Sequence, residues 1–411
     1  MTAIPPAVDP FELPDTIQFG VDDPYLALVE ARKGGEVVTG FALVPEGEVV
    51  FDEAGGGPAD NGVWFSVFGY DEVRAVLRDN DTFSSLILAE MMGPIIGRTI
   101  VALDEPEHGD QRALVAPAFR TKLLARWEHE LVERVVHEII DSFAADGRAD
   151  LVRQFTFAFP VRVIARILGL PDRDITQFLR WSMELISAPV NWDRAVAASE
   201  TLRSYFAEIV AARRQQPQDD LVSELVEAEI DGERLTDDEV FAFLRLLLPA
   251  GVETTYRSSG NLLFALLTHP GQFDAVRKDP TLRVAAIEEG LRWESPLLLV
   301  ARRAVCDTQI GGVDIPAGAT VEVYVAAANR DERHYENPDV FDVHRAPSPH
   351  LSFGFGPHIC LGMHLARMES RVALDAVIER LPNLRFDSQA PTPRIIGSIM
   401  RSPDALPVRF D

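Results

Sequence analysis

Cysteine is almost missing: Cys306 and Cys360 are the only two among 411 residues. No Cys-x-x-Cys pair occurs, which excludes a disulfide framework and the common structural zinc motifs. The scarcity fits a reducing, cytoplasmic compartment. Long hydrophobic runs are also missing. Stretches such as FAFLRLLLPAG are too short and too interrupted to span a bilayer, so no membrane partner is expected. The start, MTAIPPAVDPFELPD, carries acids and four prolines where a signal peptide would carry basic residues and an apolar run. Residues 1–20 read as an extended arm. Positive charge is outweighed: 39 Lys and Arg stand against 64 Asp and Glu, a net charge of −25. Such a chain is no general nucleic-acid binder, and its charge favours solubility.

What is present is ordinary globular composition, 47% hydrophobic and 25% charged, in a chain long enough to bury a large core. No repeat, low-complexity tract or Gly/Ser linker divides it, so residues 21–411 read as one domain. Helical spacing dominates from about 107 to 270. The longest such stretch runs from LTDDEVFAFLRLLLPAGVETT to LLTHP, with Thr236 placed to cap it and Pro270 to end it. EVVTGFALV, NGVWFSVFG, the glycine-turn hairpin TQIGGVDIPAG and the final ALPVRFD read as short strands. The expected fold is mainly α with small β-sheets near its two ends. Cys306 reads as a buried or half-buried strand residue.

The stretch HLSFGFGPHICLGMHLA places Cys360 after a glycine-rich loop and before a helical run. Four roles suit it: a small buried side chain, a nucleophile with a histidine base, a zinc ligand with His358 and His364, or an axial thiolate on haem iron. A helix starting at Cys360 would turn free N–H groups toward the sulfur and favour the thiolate. Glycines in the loop would let the backbone approach a flat ligand.

A second irregularity lies in LLLPAGVETT, where glycine, an acid and two threonines interrupt an apolar helix. Gly251 costs about 1 kcal/mol against alanine. Pro249 removes a helical hydrogen bond, should free the Arg245 carbonyl, and should bend the helix. Departures of this kind mark functional sites, though a kinked packing helix would read the same. Glu289 and Arg292 share one helix face in EEGLRWESP. Glu200 and Arg203 have the same spacing, so spacing alone does not single the first pair out.

Together these motifs resemble the cytochrome P450 family, in the right order, from about residue 20 to the end. FGFGPHICLG matches its haem-binding signature at Phe353, Gly356, His358, Cys360 and Gly362. The resemblance implies heme b with Cys360 as the thiolate ligand of the iron. It implies that His358, His108, Arg112 and Arg302 meet the haem propionates, with Arg303 turned away by strand alternation. Glu289–Arg292, about seventy residues before the cysteine, resembles the family's buried Glu-x-x-Arg pair. Asn329–Arg330–Asp331 and the segment from Phe341 resemble its connecting region, with Arg345 joining the pair. Ala250, Gly251, Glu253 and Thr254 match its oxygen-activation motif. Small residues there would leave room for O2, Thr254 would hydrogen-bond the reduced dioxygen, and Glu253 would relay protons to it.

The implied activity is a monooxygenase reaction on an apolar small molecule, a terpenoid, fatty acid, steroid or polyketide-like compound. The implied pocket draws on Ile95, Ile96, Val101, Leu246, Pro249, Leu297, Leu298, Leu299, Val300, Ile399 and Met400. Arg245 and Arg98 are candidate charged anchors. Electrons would come from an external ferredoxin and ferredoxin reductase, docking near Arg120, Lys122, Arg345 and Arg367. Two features depart from the family pattern: residues 46–61 make an unusually long connection, and Pro249 replaces a small or branched apolar residue. A peroxide-driven peroxygenase is one alternative, disfavoured because peroxide already supplies the protons that Glu253 and Thr254 would deliver. A non-catalytic haem-binding or sensor protein is the other.

Overall fold

The structure, a computed structural model, describes residues 23–43 and 63–411. The expected arm over 1–20 and the long connection over 46–61 lie outside the described residues, as does the side chain of Lys122. Strands β1 Val37–Thr39, β2 Trp64–Val67, β3 Phe83–Ser84, β4 Val300–Ala304 and β5 Thr320–Val323 form one sheet in the order β1-β2-β5-β4-β3. β2 runs parallel to β5, with Phe65 opposite Val321, and β4 is antiparallel to both β5 and β3. This corrects the expectation of separate sheets near the two ends. A hairpin alone cannot bury a face, so early and late strands complete one another. Val67, Ala304, Val321 and Val323 share a core there with Val73, Val76 and Leu77.

Ten helices matter for the site. They are α1 Pro24–Arg32, α2 Tyr70–Arg78, α3 Ile87–Ile96, α4 Glu107–Val115, α5 Ile175–Ile186, α6 Trp192–Gln215, α7 Asp237–Leu247, α8 Thr254–Thr268, α9 Leu282–Trp293 and α10 Met363–Arg380. α6 shows why they pack: Ala195, Ala198, Leu202, Phe206 and Val210 recur every three or four residues and are all buried. Cutting Leu202 back to alanine in such a stripe costs about 2–5 kcal/mol.

α7 opens on a capping box in which Thr236 and Glu239 bond each other's backbone N–H groups. Every residue from Val240 to Leu247 is then buried. At Pro249 the helix passes through a π-turn, Leu248–Glu253, and resumes as α8. The Arg245 carbonyl, expected to be freed by Pro249, instead accepts the Leu248 N–H. α8 ends at Thr268 before Pro270, as its sequence predicts. Another π-turn, Glu128–Val132, splits the run around ARWEHELVERVV into two helices.

Cys306 is exposed, in a bend beyond the end of β4, and so is not the buried strand residue expected. Among the described residues no helix is long and apolar enough to cross a membrane.

Candidate active site

The loop before α10 is closed by the Cys360 N–H, which donates to the Phe353 carbonyl at 2.8 Å. Gly356 is fixed by its surroundings. Its φ is +74°, and a Cβ there would sit 2.5 Å from the Leu77 carbonyl oxygen at the end of α2. Arg74 and Arg78 of α2 lie over the Phe355 ring. α10 starts at Met363, three residues later than a helix starting at Cys360 would. The loop carries glycines on both sides of the cysteine, and Gly362 occupies the cap. Burial pushes the Cys360 thiol up, against the pull of the Gly362 N–H, Arg112 and Arg367. The local backbone therefore does not make a thiolate unaided; a metal cation would reverse the balance. Zinc finds no support, because the one cluster of three possible ligands among the described residues is Glu128, His129 and Glu133. His358 Nε2 faces Ser85 at 3.2 Å, and its ring lies tilted against that of His108, 4.0 Å between centroids.

Around this loop stand several cations. His108 is buried on α4, with Nδ1 held 2.8 Å from Glu105 and Nε2 without a partner. One turn later Arg112 donates to the Ile359 carbonyl at 2.7 Å. Arg302 is buried on β4, while Arg303 turns outward to Glu90, as strand alternation requires. Burial lowers Arg302 to about 10. Burial and then the charges of Arg302, His108 and Arg112 push His358 down to about 3, so its ring is neutral at physiological pH.

Where the π-turn meets α8, Thr254 Oγ donates to the Ala250 carbonyl at 2.7 Å. Glu253 is buried and paired with Arg257 at 3.0 Å. Gly251 faces the same side, where an added Cβ would meet only Ile164 at 3.5 Å.

Cys360, Phe353, His358, Arg112 and Arg302 share one cavity of about 2100 Å³ with Ala250, Gly251, Glu253 and Thr254. Ile95, Ile96, Val101, Leu246, Pro249, Leu297, Leu299, Val300, Ile399 and Met400 also line it. Leu298 does not. It points the other way, into a core with Tyr25 and Tyr324, because alternate residues of an extended segment face opposite sides. Neither candidate anchor reaches the cavity. Arg245 is buried and bonds the Phe241 and Ile95 carbonyls and Ser199, and Arg98 pairs with exposed Glu107. The charged residues that do line the wall on α5 and α6, Arg180, Glu184, Asp193 and Arg194, were missed. Their only signal was an i, i+4 pair on an amphipathic helix, which does not say which face meets a cavity.

Glu289 and Arg292 form a bidentate pair at 2.7 and 2.8 Å, both buried. Arg345 adds two contacts to Glu289 at 3.2 Å. Arg292 also donates to the Asn329 carbonyl, and the Asn329 side chain accepts the Leu351 N–H at 2.7 Å. The pair is thus wired through Asn329 to the start of the cysteine loop. Glu200, with the same spacing to Arg203, is exposed, and Arg203 pairs with Asp238 instead. Of the expected docking residues, Arg120 is exposed, Arg345 is committed to Glu289, and Arg367 is held by Glu288 at 2.7 Å.

The family model described as cytochrome P450 matches residues 174–404. The chain is 38% identical to the putative cytochrome P450 YjiB of Bacillus subtilis, over 84% of this chain and 86% of that one. It is 34% identical to a steroid C26-monooxygenase of Mycolicibacterium smegmatis, over 76% of this chain and 79% of that one. The solved structure of CYP109E1 from Bacillus megaterium with testosterone superposes with a TM-score of 0.82 at 30% identity, covering 95% of this chain and 99% of that one. Sequence, cavity and fold agree: the chain belongs to the cytochrome P450 family and is an oxidoreductase of its monooxygenase class.

Proposed function

We propose that the cavity would hold heme b with Cys360 as the thiolate ligand of its iron, and that the enzyme inserts one atom of O2 into an apolar small molecule. The observation that carries this reading is the convergence of Cys360, Arg112, Arg302 and His358 on the cavity that Ala250 and Thr254 face. The donor set fits the group. One soft sulfur serves the iron, and the cations, with the unpartnered Nε2 of His108 behind His358, suit two carboxylates. When bound, the haem supplies the iron that binds and activates O2.

The chain's own residues supply protons, orientation and exclusion of water. Insertion sends one oxygen atom into a C–H bond and the other out as water, consuming two electrons and two protons. Thr254 exchanges its bond to the Ala250 carbonyl for one into the cavity, and so places a proton there. Glu253, next in the chain, resupplies it by swinging away from Arg257. The apolar walls keep bulk water out and hold an apolar substrate such as a terpenoid, fatty acid, steroid or polyketide-like molecule. A relative named for a steroid and a neighbour solved with testosterone support that class. Electrons come from an external ferredoxin and its reductase, with Arg120 and the Arg74–Arg78 pair beside Phe355 as contacts.

The test is the absorption spectrum of the reduced protein with carbon monoxide. A band red-shifted by thiolate, lost in Cys360→His, is expected. A band at the position of histidine-ligated haem in the native protein would end the assignment. Turnover driven by reduced ferredoxin, compared with turnover by peroxide, separates monooxygenase from peroxygenase.

A further inference from the structure

The cavity wall made by α5 and α6 carries four charged side chains, Arg180, Glu184, Asp193 and Arg194, among mostly apolar neighbours, and three of them form one cluster. Arg180 Nε lies 3.2 Å from Glu184 Oε1, and Arg194 Nη1 lies 3.7 Å from the same oxygen. All three line the cavity. Their side chains are 29%, 13% and 21% exposed for Arg180, Glu184 and Arg194, so all three are half-buried. A pair that only pinned α5 to α6 would need one arginine for one glutamate. Here one carboxylate serves two guanidiniums, which leaves the triad a positive charge in excess. Asp193, at the exposed start of α6, also lines the cavity but pairs with neither arginine, so its charge leaves their donors open. Each guanidinium has five N–H donors in a planar fork, and Glu184 occupies few of them.

An apolar chamber with spare guanidinium donors on one wall selects a ligand with an apolar body and an anionic acceptor at one end. We propose that the substrate carries a carboxylate, bound by Arg180 and Arg194, with its apolar body extending toward Ala250 and Thr254. This rests on the monooxygenase reading of the same cavity and adds which end of the substrate is held. The oxidised carbon then lies in the apolar body, remote from the carboxylate.

The experiment is an optical titration of the purified holoprotein with acid and methyl-ester pairs: dodecanoic acid, hexadecanoic acid and a cholanic acid. Binding of 4-phenylimidazole reports the iron site independently. At least one acid should bind about tenfold or more tighter than its ester, as expected for a charge-assisted contact. Arg180→Gln/Arg194→Gln should abolish that preference while 4-phenylimidazole binding stays unchanged. Glu184→Gln, which frees both arginines from their shared partner, should widen it. A panel with no preference for any acid, or a preference that survives in the double variant, overturns the proposal. No response to 4-phenylimidazole in the native protein overturns the haem reading itself, and this proposal with it.

Discussion

Arg257 sits one helical turn beyond Glu253, is completely shut from solvent, and holds the Glu253 carboxylate at 3.0 Å. The same guanidinium donates to Ser402 Oγ at 3.0 Å, two residues from Met400 in the cavity wall. One buried cation therefore links the acid on the oxygen side to the segment that borders the substrate.

Arg257→Met should destabilise the protein by about 3–5 kcal/mol, because it leaves a buried carboxylate without its charge partner. Adding Glu253→Gln should return part of that loss. Urea unfolding of the two single variants and the double variant gives the coupling directly. Additive losses would mean that the two side chains do not act as a pair.

Glu289→Gln should cost about 3–5 kcal/mol for the same reason, with two arginines left facing a neutral amide. Because Arg292 reaches the cysteine loop through Asn329, this variant should also retain less haem. Glu200→Gln, a change at the same spacing on an exposed face, should stay within about 0.5 kcal/mol of the parent. Chemical denaturation and the haem-to-protein absorbance ratio check both. Equal losses from the two variants would contradict the difference in burial.

Arg245→Met should lose about 1–3 kcal/mol by removing the donor to Ser199 Oγ and one of two donors to the Ile95 carbonyl, which Ser199 still reaches. It should leave any preference for acids over esters intact, because Arg245 lies outside the cavity lining. Thermal unfolding and the titrations above test this. A lost acid preference would place Arg245 in contact with substrate after all.

Asp331 supplies a pH dependence. Burial alone would raise its carboxyl, but hydrogen bonds from Arg333 and the Tyr70 N–H, with the charge of Arg32, hold it well below its ordinary 3.8. A carboxyl depressed in the folded state stabilises fully above its unfolded value and loses that contribution as pH falls below it. Asp331→Asn should therefore lower the melting temperature at pH 7, with the gap to the parent narrowing below about pH 3.8. Melting curves at pH 7, 5 and 3 decide it. A gap that stays constant down to pH 3 would show that the charge is not what matters.

Particular residues show what the chain alone could reveal. Glu289 and Arg292 stood out only when position was added to spacing, since Glu200 and Arg203 match them in spacing. Cys360 was legible through its glycines, and the helix was expected after it; that α10 begins at Met363 and not at the cysteine follows from Gly362 taking the cap. Leu298 looked like its neighbours in composition. Its orientation depends on which side of an extended segment faces the cavity, and that is set by the bridge between Leu297 and Met400. Arg180, Arg194 and Arg245 are all arginines on amphipathic helices. Only the packing of α3, α5, α6 and α7 decides that the first two border the cavity and the third clamps its frame.

The turn over Leu248–Glu253 has a consequence for chain length. A π-turn holds one residue more than an α-turn, and one residue of helix is about 100° of rotation. Deleting any single residue there would restore regular helix and swing all of α8 around its axis relative to α7. Thr254 and Ser258 would leave the cavity, and Leu262 would leave its close seat against Gly290. The face that α8 offers is set by how many residues precede it in the turn. Side-chain replacements would reshape the chamber; a change in residue count would point a different side of the helix into it.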